Sequence, residues 1–325
     1  MNSNTIKSMY IVLIIAVLTL AAGYAQAATA KTSEGIAFRF NPPDGITFTE
    51  TGKHTTKEYF YGIASKPVVI TTKARITIKK TDKGYRASRI PLYYNVEGNS
   101  STNKSTTTDA ILKYLDCTVL EYELNKDGEC IGILGLEKLI DDIEIEVRKV
   151  APPGMQLNPE VLMSMIASVE SIEAVRWNEK FGYMTGYYMN VGESIKTSTP
   201  QELPHSGDLV KANCVIKLSE LVKKGGKELA KIQYSSSLDN EALSDWYNKS
   251  GAFMIGSNSG ASYEAMEVSS AERKDKIEHT IYLSTQLPYF ISSKSTMKVV
   301  GSISDTSNIR YSYEEWEQYT YDYSK

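Results

Sequence analysis

The sequence lacks the residue patterns that most enzyme classes require. It contains only three histidines, His54, His205 and His279, and none has a second histidine, a cysteine or a carboxylate at a metal-binding spacing. No Gly-x-Ser-x-Gly elbow indicates a serine hydrolase, and no glycine-rich loop of the Walker or dinucleotide type is present. We therefore expect no catalytic residues, no cofactor and no bound metal.

Cysteine is also scarce. Cys117, Cys130 and Cys214 are odd in number and too few for a disulfide scaffold. A hairpin turn at 125–128 would place Glu123 opposite Cys130, and Cys117 would then lie roughly 20 Å from Cys130 along the strand. A disulfide needs Cα atoms within about 7 Å. We expect three buried, unpaired thiols.

Charge is almost absent from the first thirty residues. Lys7 is the only charged residue there, and it precedes an apolar run at 9–22 and the small residues of Ala25-Gln26-Ala27. This pattern predicts a secretory signal peptide cleaved after Ala27, with Ala30 as the second choice. The run is shorter than the ~20 residues that span a bilayer. No cysteine stands near the site to accept a lipid, so we expect a periplasmic or secreted protein without a permanent membrane anchor.

The mature chain has no strong charge of either sign. Removing the leader takes only Lys7 from the 36 basic residues, against 39 acidic ones. This balance gives no electrostatic attraction to nucleic acid, and we expect no nucleic acid partner. With 42% hydrophobic residues, the composition predicts a folded protein. We expect one mature domain at 28–325, with a possible subdivision near 150–158 and a polar loop at 95–108.

Period-2 alternation of apolar and polar residues is the main structural signal. Runs joined by Asp/Gly turns are typical of antiparallel hairpins, and one wet face per run indicates a sheet covered on one side. The predicted fold class is α+β, with long antiparallel strands that form a curved sheet or half-barrel and helices that cover its concave face. The predicted strands lie at 36–40, 46–50, 68–80, 85–94, 117–124, 129–134, 210–218, 229–235, 265–270, 276–283 and 295–302.

The strongest helix signal is at 158–177. Asn158 is a good N-cap, Pro159 suits the first helical position, and apolar residues recur at helical spacing after them. This stripe is either ordinary core or the lining of a cavity for varied apolar ligands, which flexible methionines suit. The predicted ligand-binding residues are Val161, Leu162, Met165, Ile166 and Val169.

The C-terminal residues are rich in tyrosine. Five tyrosines fall on odd positions, so a continuous strand would place them on one face. They are either the packed side of an edge strand or a surface for an envelope protein or glycan, because tyrosine combines contact area with a polar tip. This alternative partner surface comprises Tyr311, Tyr313, Trp316, Tyr319, Tyr321 and Tyr323.

Three short motifs resemble bacterial exported proteins. The strand and turn Leu120-Glu121-Tyr122-Glu123-Leu124-Asn125-Lys126-Asp127-Gly128, the turn Val191-Gly192-Glu193-Ser194 and the strand at 227–234 resemble incomplete β-barrels of the lipoprotein-carrier type and a related uncharacterised secreted family. In the uncharacterised family, the Val-Gly-Glu-Ser turn is followed by tryptophan, and in this chain Ile195 stands at that position. The resemblance covers roughly 35–302 by order of segments. It implies a half-barrel with helices in its mouth and carriage of a lipid or other hydrophobic group, and it implies no catalytic residues.

Three functions are therefore open. The first is a soluble extracytoplasmic, non-enzymatic binding protein for a lipid or other hydrophobic ligand. The second is a cell-envelope interaction module that uses the tyrosine strip. The third is a secreted hydrolase, which would need a cleft where a histidine or two carboxylates converge.

Overall fold

The computed structural model describes most of the chain. The predicted leader and the five predicted ligand-binding residues of the 158–177 helix lie outside the described residues, as does most of the 95–108 loop. The described residues are 35–98, 113–150, 170, 173–182, 184–202, 209–250, 254–255, 264–265, 267–303 and 306–323.

One large antiparallel sheet dominates the fold. It has twelve strands and is not closed into a barrel. Of the residues that the structure describes, 62% are in strands, and most of these belong to this sheet. The two-stranded pairs β1–β8 and β12–β13 accompany it. The strands are β1 Ile36–Ala37, β2 Ile46–Phe60, β3 Ile63–Ala64, β4 Val68–Lys80, β5 Tyr85–Glu97, β6 Leu120–Leu124, β7 Cys130–Leu134, β8 Tyr188–Met189, β9 Ser194–Glu202, β10 Leu209–Lys224, β11 Lys227–Leu238, β12 Met254–Ile255, β13 Glu264–Ala265, β14 Glu267–Tyr282, β15 Pro288–Ile303 and β16 Thr306–Asp322.

The sheet brings the two ends of the chain together at its centre. Its strand order is β7-β6-β5-β4-β2-β16-β15-β14-β11-β10-β9, and β3 pairs with the end of β2. The C-terminal strand β16 is therefore hydrogen-bonded on both sides, to β2 and to β15. The interpretation of the tyrosine strip as an edge strand is wrong, because β16 has a paired strand on each side.

In the part of the chain that the structure describes, two helices and two short helical segments pack on the sheet. Helix α1 is Leu136–Val150 and helix α2 is Asn240–Ser250, and a short helical segment occupies 113–117. A further helix at 173–177 continues as a π-helix over Asn178–Gly182. No described helix is long and apolar enough to cross a bilayer.

One face of the sheet, here called the inner face, carries two hydrophobic clusters. The first lies under α2. The buried side chains of this helix, Leu243, Trp246 and Tyr247, are three and four residues apart and therefore share one helix face. Asp239 begins this helix, since its carboxylate accepts a hydrogen bond of 3.0 Å from the backbone N–H of Ala242. This helix was missed because its sequence reads as a polar loop.

The second cluster lies under the helical segment at 173–182. Trp177 and Phe181 stack with ring centroids 4.3 Å apart, and the Trp177 indole N–H donates to the carbonyl of Gly128 at 2.9 Å. Leu139 and Ile143 of α1 cover the same part of the sheet. The sequence predicts that the helix ends near residues 177–181, and the described helical segment ends at Gly182. The predicted end is therefore confirmed.

The structure also tests the predicted bounds of β4, the predicted β6–β7 hairpin and the predicted cysteine environments. Strand β4 begins and ends where alternation predicts, at Val68 and Lys80. The hairpin of β6 and β7 forms, but Leu124 pairs with Cys130, one residue beyond the expected Glu129. A bulge next to that pair then places Glu123 opposite Gly132, two residues beyond the expected Cys130. Cys117 lies at the end of the 113–117 segment and is exposed, whereas the sequence predicted a buried strand residue. All three thiols are free, as expected.

Candidate functional site

The predicted tyrosine strip lies on the inner face of the sheet. Tyr311 is buried in the first cluster and Tyr321 in the second, and the other three tyrosines of the strip are half-buried beside them. Trp316 points to the opposite face, where the Lys294 ammonium lies 5.3 Å from its ring centroid. A partner that approached the inner face would therefore meet packed tyrosine rings.

Charged side chains cross the inner face where the two clusters meet. We call them the charged belt. They come from four strands of the sheet and from the helical segment above it, and all are buried or half-buried. The belt consists of Glu50, His54, Arg89, Glu173, Arg176, Glu179, Lys180, Arg273, Asp275, Glu315 and Glu317.

Most of the belt is organised as ion pairs. Lys180 contacts both carboxylate oxygens of Glu50 at 3.1 Å, and its ammonium also lies 3.8 Å from the ring centroid of Tyr319. Arg273 lies 3.3 Å from Asp275 in the same way. Such pairs are expected, because a buried charge without a partner is strongly destabilising.

A second network lies under the 173–177 helix. Arg176 contacts Glu173 at 2.8 Å and Asp116 at 3.3 Å, while Arg89 lies 3.6 Å from Asp116. The Tyr122 hydroxyl donates to Glu173 at 2.9 Å. Burial would raise the pKa of Glu173, but the two guanidinium groups and this hydroxyl lower it, so the carboxylate stays ionised.

The centre of the belt is a histidine with two carboxylates. His54 on β2 is paired in register with Glu317 on β16, and its Nε2 lies 2.5 Å from Oε1 of Glu315. The ligand atoms of all three residues lie within 4.8 Å of one another. Glu315 is buried and His54 is half-buried. Ser293 on the adjacent strand donates to Glu317 at 3.4 Å.

Protonation in this group is set by burial and by the carboxylates. Burial alone would lower the pKa of His54, but the adjacent Glu315 carboxylate overrides that effect and raises it to about 9. Burial, helped by the negative charge of Glu317, raises the pKa of Glu179 to about 8. At neutral pH, His54 is therefore cationic and Glu179 is mostly protonated.

No pattern in the sequence predicts this group. His54 and Glu315 are 261 residues apart, so no local spacing could indicate that they meet. Predicting this group would require knowing that the first long strand pairs with the last one, and a single sequence does not reveal that pairing. The meeting of His54 with two carboxylates satisfies one requirement of the hydrolase alternative, which needs a histidine or two carboxylates that converge. However, among the described contacts the Ser293 hydroxyl is bonded to Glu317 and not to His54, so a serine–imidazole contact is not formed.

An apolar part of the inner face adjoins the belt and is only partly covered. On β4 the inward residues Ile78, Ile76 and Ala74 are 0–1% exposed. Further along the same strand Ile70 and Val68 are only half-buried, and their neighbour Val96 on β5 is 47% exposed. We call this region the open patch. It consists of Val68, Ile70, Tyr94 and Val96.

The open patch and the belt form one continuous surface. His54 pairs with Ile70, which pairs with Val96, so the three side chains follow one another across three adjacent strands on the same face. Glu317 continues the row on the other side of His54. A ligand on the open patch would therefore lie directly beside the central charged group.

Comparisons with known proteins do not assign the chain to a family. No family model matches it, and no curated protein matches it. Among solved structures, one of lipovitellin, described as showing lipid–protein interactions, matches 86% of this chain with 7% identity and a TM-score of 0.42. The match spans 25% of the lipovitellin chain.

Removing the ammonium from the Lys180–Glu50 pair should destabilise the fold. Glu50 is 3% exposed, so Lys180→Met leaves a buried, unpaired carboxylate and should lower the free energy of unfolding by about 3–5 kcal/mol. Adding Glu50→Gln should restore much of that loss. Urea unfolding measures both. As a matched control, Lys231→Met at the exposed Lys231–Glu220 pair should leave stability nearly unchanged. Equal losses in the two single variants would contradict the assigned role of burial.

His279 should make the fold sensitive to mild acid. It is 3% exposed, and burial lowers its pKa to about 4, whereas the unfolded chain binds this proton near pH 6.5. Stability should therefore fall as pH drops from about 6.5 to 4, by roughly 3 kcal/mol over the whole window. His279→Leu should remove that part of the pH dependence. Chemical unfolding at pH 7 and pH 4.5 compares the two proteins, and identical pH slopes would contradict the prediction.

Proposed function

We propose that the protein is an exported, non-enzymatic binding protein for a hydrophobic ligand, which it holds on the open patch. The observation that supports this most directly is the change in burial along β4. The inward side chains from Ala74 to Ile78 are fully buried, whereas those of Val68 and Ile70, nearer the start of the strand, leave an apolar surface accessible. Burying such a surface under a ligand is favourable by roughly 25 cal/mol per Å².

The shape of the sheet suits this role. An open antiparallel sheet with an apolar inner face must cover that face, and the described helices cover it over the two clusters. The remaining apolar surface lies at β4 and β5, where β6 pairs only with the first residues of β5, from Tyr85 to Arg89. A ligand would complete the cover in this region.

The predicted ligand-binding helix belongs to this proposal. The sequence spacing predicts an apolar stripe on one face of this helix, and we propose that it covers the ligand from the side opposite the sheet. The stripe comprises Val161, Leu162, Met165, Ile166 and Val169. Flexible methionine suits contact with varied apolar molecules. We propose that this stripe and the open patch are the two sides of one binding site.

Export is the second part of the proposal. It rests on Lys7, the apolar run at 9–22 and the small residues before Ala28. The envelope module that uses Tyr311–Tyr323 is the less favoured alternative, because two of its five tyrosines are buried in the hydrophobic clusters.

A charge on the open patch should abolish binding of an apolar probe without unfolding the protein. Val96→Asp places a carboxylate where the ligand would lie, and we expect at least about ten-fold weaker binding of diphenylhexatriene, measured by its fluorescence. The melting temperature should change little because Val96 is half exposed.

The matched control lies on the other face of the same strand. Ile90 is 39% exposed and pairs with Arg75, so Ile90→Asp adds the same charge away from the patch and should leave probe binding intact. Met165→Asp tests the helix. If it weakens binding while the melting curve is unchanged, the helix contacts the ligand. If it only unfolds the protein, that face is core. Equal binding by the wild type and Val96→Asp would refute the proposed site.

A further inference from the structure

The central group of the belt has the donor atoms of a metal site. His54 offers an imidazole nitrogen, and Glu315 and Glu317 each offer a carboxylate oxygen, with all three ligand atoms within 4.8 Å of one another. One nitrogen and two oxygen donors suit Zn²⁺ and related divalent ions of the first transition row. The rest of a four-coordinate shell could be filled by water or by a ligand.

Charge is not balanced at this point of the belt. Elsewhere in the belt, Lys180 pairs with Glu50 and Arg273 pairs with Asp275. The described ion pair at this point joins Glu315 to His54, which lies opposite the second carboxylate, Glu317, on the neighbouring strand. A metal ion would displace the proton from His54, and the two carboxylates with the neutral imidazole would then compensate its double positive charge.

The backbone holds the donors in place and leaves a route to them. All three residues lie on β2 and β16, the adjacent central strands of the sheet, and Glu315 and Glu317 share one face because they are two residues apart. The His54 side chain is 28% exposed and faces Ile70 of the open patch. An ion could therefore enter from that side, as a usable metal site requires.

We infer that His54, Glu315 and Glu317 bind one divalent transition-metal ion of the Zn²⁺ class. This site differs from the proposed hydrophobic site, and either could exist without the other. The hydrolase alternative does not follow from it, since metal binding alone does not supply a reaction.

The first test is calorimetric titration of Zn²⁺ into protein dialysed against a chelator. We expect one saturable site per chain. Glu317→Gln and His54→Gln should each weaken binding at least about ten-fold, because each removes a ligand. Glu314→Gln is the matched control, since Glu314 lies on the same strand and faces the other way, and it should bind normally. Absence of a saturable site, equal binding by all variants, or Mg²⁺ binding as tight as Zn²⁺ would overturn the inference.

A second measurement uses the unmodified protein and so does not depend on the variants folding. The chain has only three histidines, which can be labelled with ¹⁵N. Zn²⁺ should shift the ring nitrogen resonances of one histidine at one equivalent, and the affected signal should be missing from His54→Gln. If no ring resonance responds, or if the responding signal remains in His54→Gln, the assignment is wrong. Both metal-binding measurements are independent of the hydrophobic site. A failure of the protein to bind diphenylhexatriene would refute the hydrophobic site and leave the metal site standing.

Discussion

The pairing of the first long strand with the last one is the constraint on which the rest of the structure depends. It places β16 beside β2, so that residues from the two ends of the chain share one face of the sheet. Charged side chains then lie between two hydrophobic clusters, and each buried charge needs a partner. Lys180 supplies one from the helical segment, which ties that segment to the sheet through Glu50.

The charged belt also explains why the inner face does not form a single core. Ile277 contacts both clusters, yet the polar residues between them prevent continuous apolar packing at that level. The helices cover the apolar surface on either side of the belt, and the open patch at β4 and β5 remains partly accessible. The proposed ligand site and the inferred metal site both arise from this incomplete cover.

Local patterns in the sequence predicted the strands well and the site poorly. Alternation is a local property, so the bounds of β4 and the face of the tyrosines could be predicted from neighbouring residues. Helix α2 was missed because its apolar face is formed by only a few residues, among them Leu243 and Trp246, in a polar segment. His54 and Glu315 meet through long-range pairing, and no local pattern encodes which strands pair.

The most direct test of the account is amide hydrogen exchange of the protein with and without diphenylhexatriene. The account predicts slower exchange at residues 68–72 of β4 and 94–97 of β5 when the probe is bound, with little change in β10 under the first cluster. Unchanged exchange in β4 and β5, or protection confined to strands distant from the open patch, would contradict the claim that an incompletely covered sheet face is the binding site.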